Sequence, residues 1–178
     1  MSRGMLDCKN TFCIGDNHFF HKNIIKYENR PFDSVESMNE EMIKRWNSVV
    51  NNKSKVIIFG DWIFGSKKNI ENIAKQLNGH KILILGNHDG YSPAYYYSIG
   101  VEEVSNYPIV INNFIICSHE PLYVNDNMPY INLYAHVHGN NMYKTISENS
   151  ACLSAERWNY TPVSLSKVLE MVEKARNL

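Results

Sequence analysis

The sequence predicts a single α/β domain, on three observations. Residues 11–16 (TFCIGD), 55–61 (KVIIFGD), 81–87 (KILILGN), 113–119 (NFIICSH) and 131–136 (INLYAH) are short apolar runs, of the composition found in strands buried on both faces. Stretches with helical spacing lie between several of them. The chain has 178 residues, 44% hydrophobic and 20% charged, with a formal net charge of zero. That is the size and make-up of one ordinary domain spanning residues 1–178. Runs this short cannot be separated from buried helix by periodicity, so their endings carry more weight: each closes on Asp, Asn or His, often beside a Gly that permits a sharp turn.

Taken in order, the first run is followed by a helix over about 35–50. Asp33 or Ser34 is its N-cap, and Met38, Met42, Trp46 and Val49 or Val50 fall near helical spacing, the methionines as core filler. After the second run, Ile70, Ile73, Ala74 and Leu77 form one helical face and Gly79 a C-terminal stop. After the third, a short helix starts at Pro93 and ends at Gly100. Residues 101–163 contain strand-like runs with little helical pattern, which predicts a partly antiparallel sheet. A last helix over about 164–176 turns Leu165, Val168, Leu169 and Val172 to the core.

Neutral charge removes the broad attraction that a general nucleic-acid binder uses, and no extended nucleic-acid groove is expected, although a local basic patch stays open. Cys8, Cys13, Cys117 and Cys152 form no CxxC pair and read as reduced core thiols. The N-terminus has no apolar signal core and no run approaches the roughly 18 residues of a membrane helix, so the expectation is a cytoplasmic protein without membrane contact.

In α/β sheets the carboxyl ends of the strands open onto the ligand crevice. The residues delivered there are Asp16 and His18, Asp61, Asn87, His119, and His136 with His138. A set of oxygen and imidazole donors without thiolate argues against a Cys-rich structural zinc site and suits Mn, Fe or Zn in a hydrolytic centre. Residues one position apart on an extended segment point the same way, so Asp16 with His18, and His136 with His138, each aim two ligands at one cavity. That favours a dimetal site with Asp61 shared between the cations. Singly, a G-D turn, an H-x-H strand or a lone His119 has an ordinary structural explanation; their joint order carries the reading.

At these residues the sequence resembles the calcineurin-like metallophosphoesterases. The family pattern runs D-x-H, G-D, G-N-H-D, a lone His and G-H-x-H, and here GDNH, FGDW, LGNHD, CSHEP and AHVHG stand in that order between residues 11 and 139. HFFHKNII with NRPF resembles a small-phosphoesterase subgroup whose first motif extends to D-x-H-x-x-H, and RWNYTPVSL resembles its C-terminal signature. The resemblance implies a four-layer α/β/β/α sandwich with mixed sheets, the second drawn from 101–163. It implies two divalent metal ions, Mn first, with Fe, Zn, Ni or Mg as alternatives. Asp16, His18, Asp61 and His138 would hold one, and Asp61, Asn87, His119 and His136 the other. Ala135 replaces the Gly that many members carry, a small-for-small change, and Trp62 after Gly60 and Asp61 bears on pocket shape.

The implied reaction is in-line attack on a phosphate ester by water or hydroxide between the metals. His88 is the candidate general acid, with Asp89 orienting it and stabilising its protonated form. The substrate expected is a small phosphorylated molecule, a nucleotide or similar diester. A phosphatase acting on monoesters and a non-catalytic metal-binding scaffold are the alternatives; a protein phosphatase is disfavoured, because the chain has no room for insertions that build a peptide groove. His21 lines the substrate pocket, contacts a ligand, or caps the next helix. Arg30 clamps a phosphate or forms a surface ion pair, with Arg157 similar. Tyr91, Tyr95, Tyr96 and Tyr97 cover the site or stack on a base, core packing explaining part of the run.

Overall fold

Residues 5–177 are described by a computed structural model, and its first sheet grows from the first three apolar runs. β1 (Thr11–Ile14), β2 (Lys55–Ile58) and β3 (His80–Ile84) lie parallel, with Cys13 opposite Ile57 and Ile57 opposite Ile82. Parallel neighbours need crossovers, supplied by α1 (Lys22–Tyr27) with α2 (Val35–Val49), and by α3 (Lys67–Gln76). After α4 (Pro93–Ser98), β4 (Val101–Ser105) joins β3 in parallel. β9 (Val163–Ser164) closes the other edge antiparallel to β1. The second sheet has the order β5 (Ile109–Ile111), β6 (Ile115–Cys117), β7 (Ile131–Tyr134), β8 (Ser150–Cys152). Its first pair is antiparallel and the rest are parallel. The 101–163 region therefore divides, β4 and the start of β9 joining the first sheet and β5 to β8 building the second.

Local signals account for the helix ends. Ser34 is the N-cap of α2, its hydroxyl accepting from the Ser37 N–H in a reciprocal capping box. Pro93 opens α4 as expected. α3 ends sooner than predicted, with Leu77 already extended at its cap; Gly79, at φ 89°, serves the turn into β3 instead. α1 carried no sequence signal that the spacing could register.

Two apolar layers hold the domain. Ile14, Val56, Ile58 and Leu83 meet Ile24, Met38, Met42, Trp46, Ile70, Ile73 and Tyr96, so α1 to α4 cover one face of the first sheet. Between the sheets, Cys13, Ile57 and Ile82 meet Ile109, Cys117 and Leu133, joined by Leu165, Val168 and Val172 of α5 (Leu165–Arg176). The expected sandwich of two mixed sheets with helical cover is the observed fold. Cys13, Cys117 and Cys152 are buried, Cys8 half-buried, and none of the four forms a disulfide. Trp62 corrects one expectation: it is fully buried in the layer beneath the helices, so it packs the core and does not shape the pocket. Among the described residues, no helix is long and apolar enough to cross a membrane.

Candidate metal centre

Three of the five strand ends, those of β1, β2 and β7, turn into left-handed backbone at their candidate ligands. Asp16, His18, Asp61, His136 and His138 have φ of 51°, 51°, 49°, 69° and 48°, a left-handed conformation costing about 1–3 kcal/mol per non-glycine residue. Five of the seven candidates are so placed, which concentrates backbone strain at one crevice. The paired motifs are thus turns, and the alternation of an extended strand is not what aims them. Their backbones are laced together, Asp16 N–H donating to Gly60 O (3.1 Å) and His18 N–H to Asp61 O (2.9 Å). Glycine is needed where they touch: a Cβ on Gly86 would sit 2.3 Å from Asp61 Oδ1, and one on Gly60 would sit 2.6 Å from His119 Nδ1.

Asp16, His18 and His138 form one ligand group, with donor atoms within 4.8 Å of one another. Both Asp16 oxygens and His18 Nε2 are buried without a hydrogen-bond partner. Burial pushes the Asp16 carboxyl up to about 6 against the opposing pull of His138, and burial likewise pushes His18 far below its ordinary range. Unpartnered buried polar atoms are costly; a cation at this point would satisfy all three.

The second group is Asn87, His119 and His136. Asn87 Oδ1 lies 3.0 Å from His119 Nε2 and 3.1 Å from His136 Nδ1, and the two imidazole nitrogens are 3.1 Å apart. His119 Nδ1 is 2.7 Å from Phe59 O. A carbonyl only accepts, so Nδ1 carries the proton and Nε2 presents a lone pair. Three atoms able to offer lone pairs at such spacing fit a shared cation. Asp61 stands between the groups: Oδ2 is 3.5 Å from His18 Nε2 and 3.7 Å from His119 Nε2, while Oδ1 accepts from His88 N–H (2.9 Å).

Around these ligands, three expectations change. Arg30 is 4% exposed, so it is neither a surface ion pair nor a phosphate clamp. Its guanidinium donates to Asp16 O (2.7 Å), Asn17 O (2.8 Å) and Glu156 Oε1 (2.6 Å), and so holds the D-x-H turn. Asp89 does not brace the His88 ring; its carboxylate accepts from the backbone N–H groups of Gly86, Asp61 and Trp62 at 2.9, 2.8 and 3.1 Å. Burial nevertheless pushes it up to about 7. The tyrosines brace a loop: Tyr91 and Tyr95 donate to Gly65 O and Lys67 O, Tyr96 is buried, and the Tyr97 hydroxyl engages the Val104 backbone.

His21 contacts the candidate ligand His18, with the two Nδ1 atoms 3.3 Å apart, and its ring stacks on Phe64 at 4.0 Å; its side chain makes no cap to α1. His88 is exposed at the mouth, 5.1 Å from the Phe64 ring and 5.6 Å from the His18 ring. Sequence reasoning missed Glu156, in the 3-10 turn Ala155–Trp158. Its Oε1 is 3.1 Å from His138 Nδ1, leaving the other imidazole nitrogen for the centre. Burial opposes the charge on His138, yet the Glu156 hydrogen bond and the Asp16 charge raise it to about 8. Arg157 binds His138 O, Asn140 O and Thr145 Oγ1 and holds the H-x-H loop. The only available signal for Glu156 was that it immediately precedes the C-terminal block opened by Arg157; nothing local reports the partners the two find across the chain.

Residues 10–166 match the model of the family described as calcineurin-like phosphoesterase. An uncharacterized protein of Methanocaldococcus jannaschii is 33% identical over 181 residues, 96% of each chain. The gene 66 protein of Mycobacterium phage L5 is 38% identical over 87 residues, 47% of this chain and 42% of its own. Among solved structures, a protein of unknown function from Aquifex aeolicus superposes with a TM-score of 0.69 at 22% identity, over 90% of this chain and 97% of that one. Pseudomonas putida nuclease MPE has a TM-score of 0.50 at 19% identity, over 73% of this chain and 62% of that one.

Proposed function

We propose that this chain, which belongs to the calcineurin-like phosphoesterase family, is an active metal-dependent phosphodiesterase for a small nucleotide or similar diester. The observation that carries the reading is the position of Asp61, whose Oδ2 faces His18 on one side and His119 on the other. Asp16, His18, Asp61 and His138 would hold one divalent ion, and Asp61, Asn87, His119 and His136 a second. When bound, such a pair lowers the pKa of water and neutralises phosphoryl oxygens.

The protein's own residues supply the rest. Asp89 and Arg30 fix the loops that carry the ligands, and Glu156 fixes the ring of His138. His88 stands exposed beside them, within reach of an incoming ester, and is proposed to give the leaving alcohol its proton. Arg30 and Arg157 spend their donors on protein acceptors. Neither guanidinium is free for an extra phosphate charge, which favours the singly charged diester over the monoester dianion.

The test is turnover of bis(p-nitrophenyl) phosphate against p-nitrophenyl phosphate after loading with Mn. Faster diester hydrolysis is expected. Faster monoester hydrolysis would assign a phosphatase, and absence of both bound metal and turnover would assign a scaffold.

A further inference from the structure

We infer that the cavity beside Asn87 and His119 selects the substrate by its organic group, taking one uncharged ring that bears N–H or O–H donors, such as a nucleoside. The inference rests on the phosphodiesterase reading of the same centre. The cavity, of about 280 Å³, shares Asn87 and His119 with the second ligand group and runs outward to Tyr107, Pro108, Glu120 and Leu122. None of its lining residues is Lys or Arg, so nothing in it pairs with a second phosphate. Glu120 makes it hostile to one and offers an acceptor to N–H and O–H groups. Ile84, Leu85 and Leu122 give it apolar walls. Its volume lies near the lower end of small-molecule sites, roughly 300 Å³, enough for one ring system.

Tyr107 is the residue presented to that ring. Its side chain is 75% exposed, yet its backbone is held: Ser105 Oγ accepts from Tyr107 N–H (3.2 Å) and donates to Tyr107 O (2.7 Å). Pro108 further restricts it to extended backbone. An aromatic face on a fixed stem is suited to stacking.

The experiment compares kcat/KM for thymidine 5′-p-nitrophenyl phosphate and methyl p-nitrophenyl phosphate with the Mn-loaded full chain. Wild type is expected to prefer the thymidine ester. Tyr107→Ala and Glu120→Ala are each expected to cut that preference roughly tenfold, mainly through KM. Tyr123→Ala, at an 87% exposed residue outside this cavity, should keep it. An unchanged preference in both cavity variants, or none in wild type, overturns the inference while leaving the hydrolase reading standing. No turnover of either ester by wild type overturns both.

Discussion

Glu156 Oε1 accepts a hydrogen bond from His138 Nδ1 at 3.1 Å, and the same oxygen meets the buried Arg30 guanidinium at 2.6 Å. Burial works against the Glu156 charge, but His138 and Arg30 hold its carboxyl below the usual range. One oxygen thus ties the D-x-H turn, which Arg30 grips, to the H-x-H turn that carries His138. Glu156→Gln should weaken metal binding by about 10–100-fold, with some loss of stability as well because the buried Arg30 charge loses its anionic partner. Competition titration with a chelating indicator measures this, and unchanged affinity would show that His138 orients itself.

Removing Arg30 should act on the fold and the centre together. Arg30→Ala leaves the Glu156 charge buried and the Asp16 and Asn17 carbonyls without their donor. The expected loss is about 3–5 kcal/mol in chemical denaturation. A variant of wild-type stability whose only defect is a raised KM would restore the phosphate-clamp role that the burial of Arg30 rejects.

Gly86→Ala should displace Asp61 by contact alone, since a Cβ there meets Asp61 Oδ1 at 2.3 Å. Overpacking of this kind costs about 1–3 kcal/mol, so the domain should survive with the position between the two ligand groups disturbed. Metal analysis is expected to find fewer than two ions per chain. Full occupancy together with normal turnover would mean that the loops yield more easily than their bonds to Asp89 suggest.

Metal loading should release protons, with a pH dependence of definite sign. Without metal, burial opposes the His138 charge, but Glu156 and Asp16 raise its pKa from 6.5 to about 8; burial raises Asp16 from 3.8 to about 6. Ligation needs neutral His138 and ionised Asp16. Affinity should therefore fall about tenfold per pH unit below pH 8, and more steeply below about pH 6. In the metal-free protein, the raised pKa of His138 contributes stability that is full below 6.5 and lost as pH rises past about 8. Raised Asp16 likewise makes stability fall as pH climbs from 3.8 to about 6. The rise in Tm on adding metal should be largest at pH 8 and above, and an equal rise at pH 6 would refute the assignment.

His88→Asn should separate leaving groups. If His88 delivers the departing proton, esters with alkyl leaving groups should lose about 10²–10⁴-fold in kcat, while p-nitrophenyl esters, which leave unaided, should change little. Comparable losses on both would assign His88 to substrate binding instead.

The sequence by itself determined the α/β class, the four expected helices and the strand-end positions of the seven candidate ligands. Those follow from apolar periodicity and from polar residues placed directly after strands, both of which are local. Only the tertiary structure decided how the ligands are aimed and supported. The left-handed backbone at Asp16 and His18 depends on the neighbouring Asp61 turn. Arg30 found Glu156 at a separation of 126 residues. Asp89, adjacent to His88 in the chain, turned to the backbone of Asp61 and Trp62. A buried charge goes to whichever partner packing brings within 3 Å, and that partner is set by the layering of the sheets.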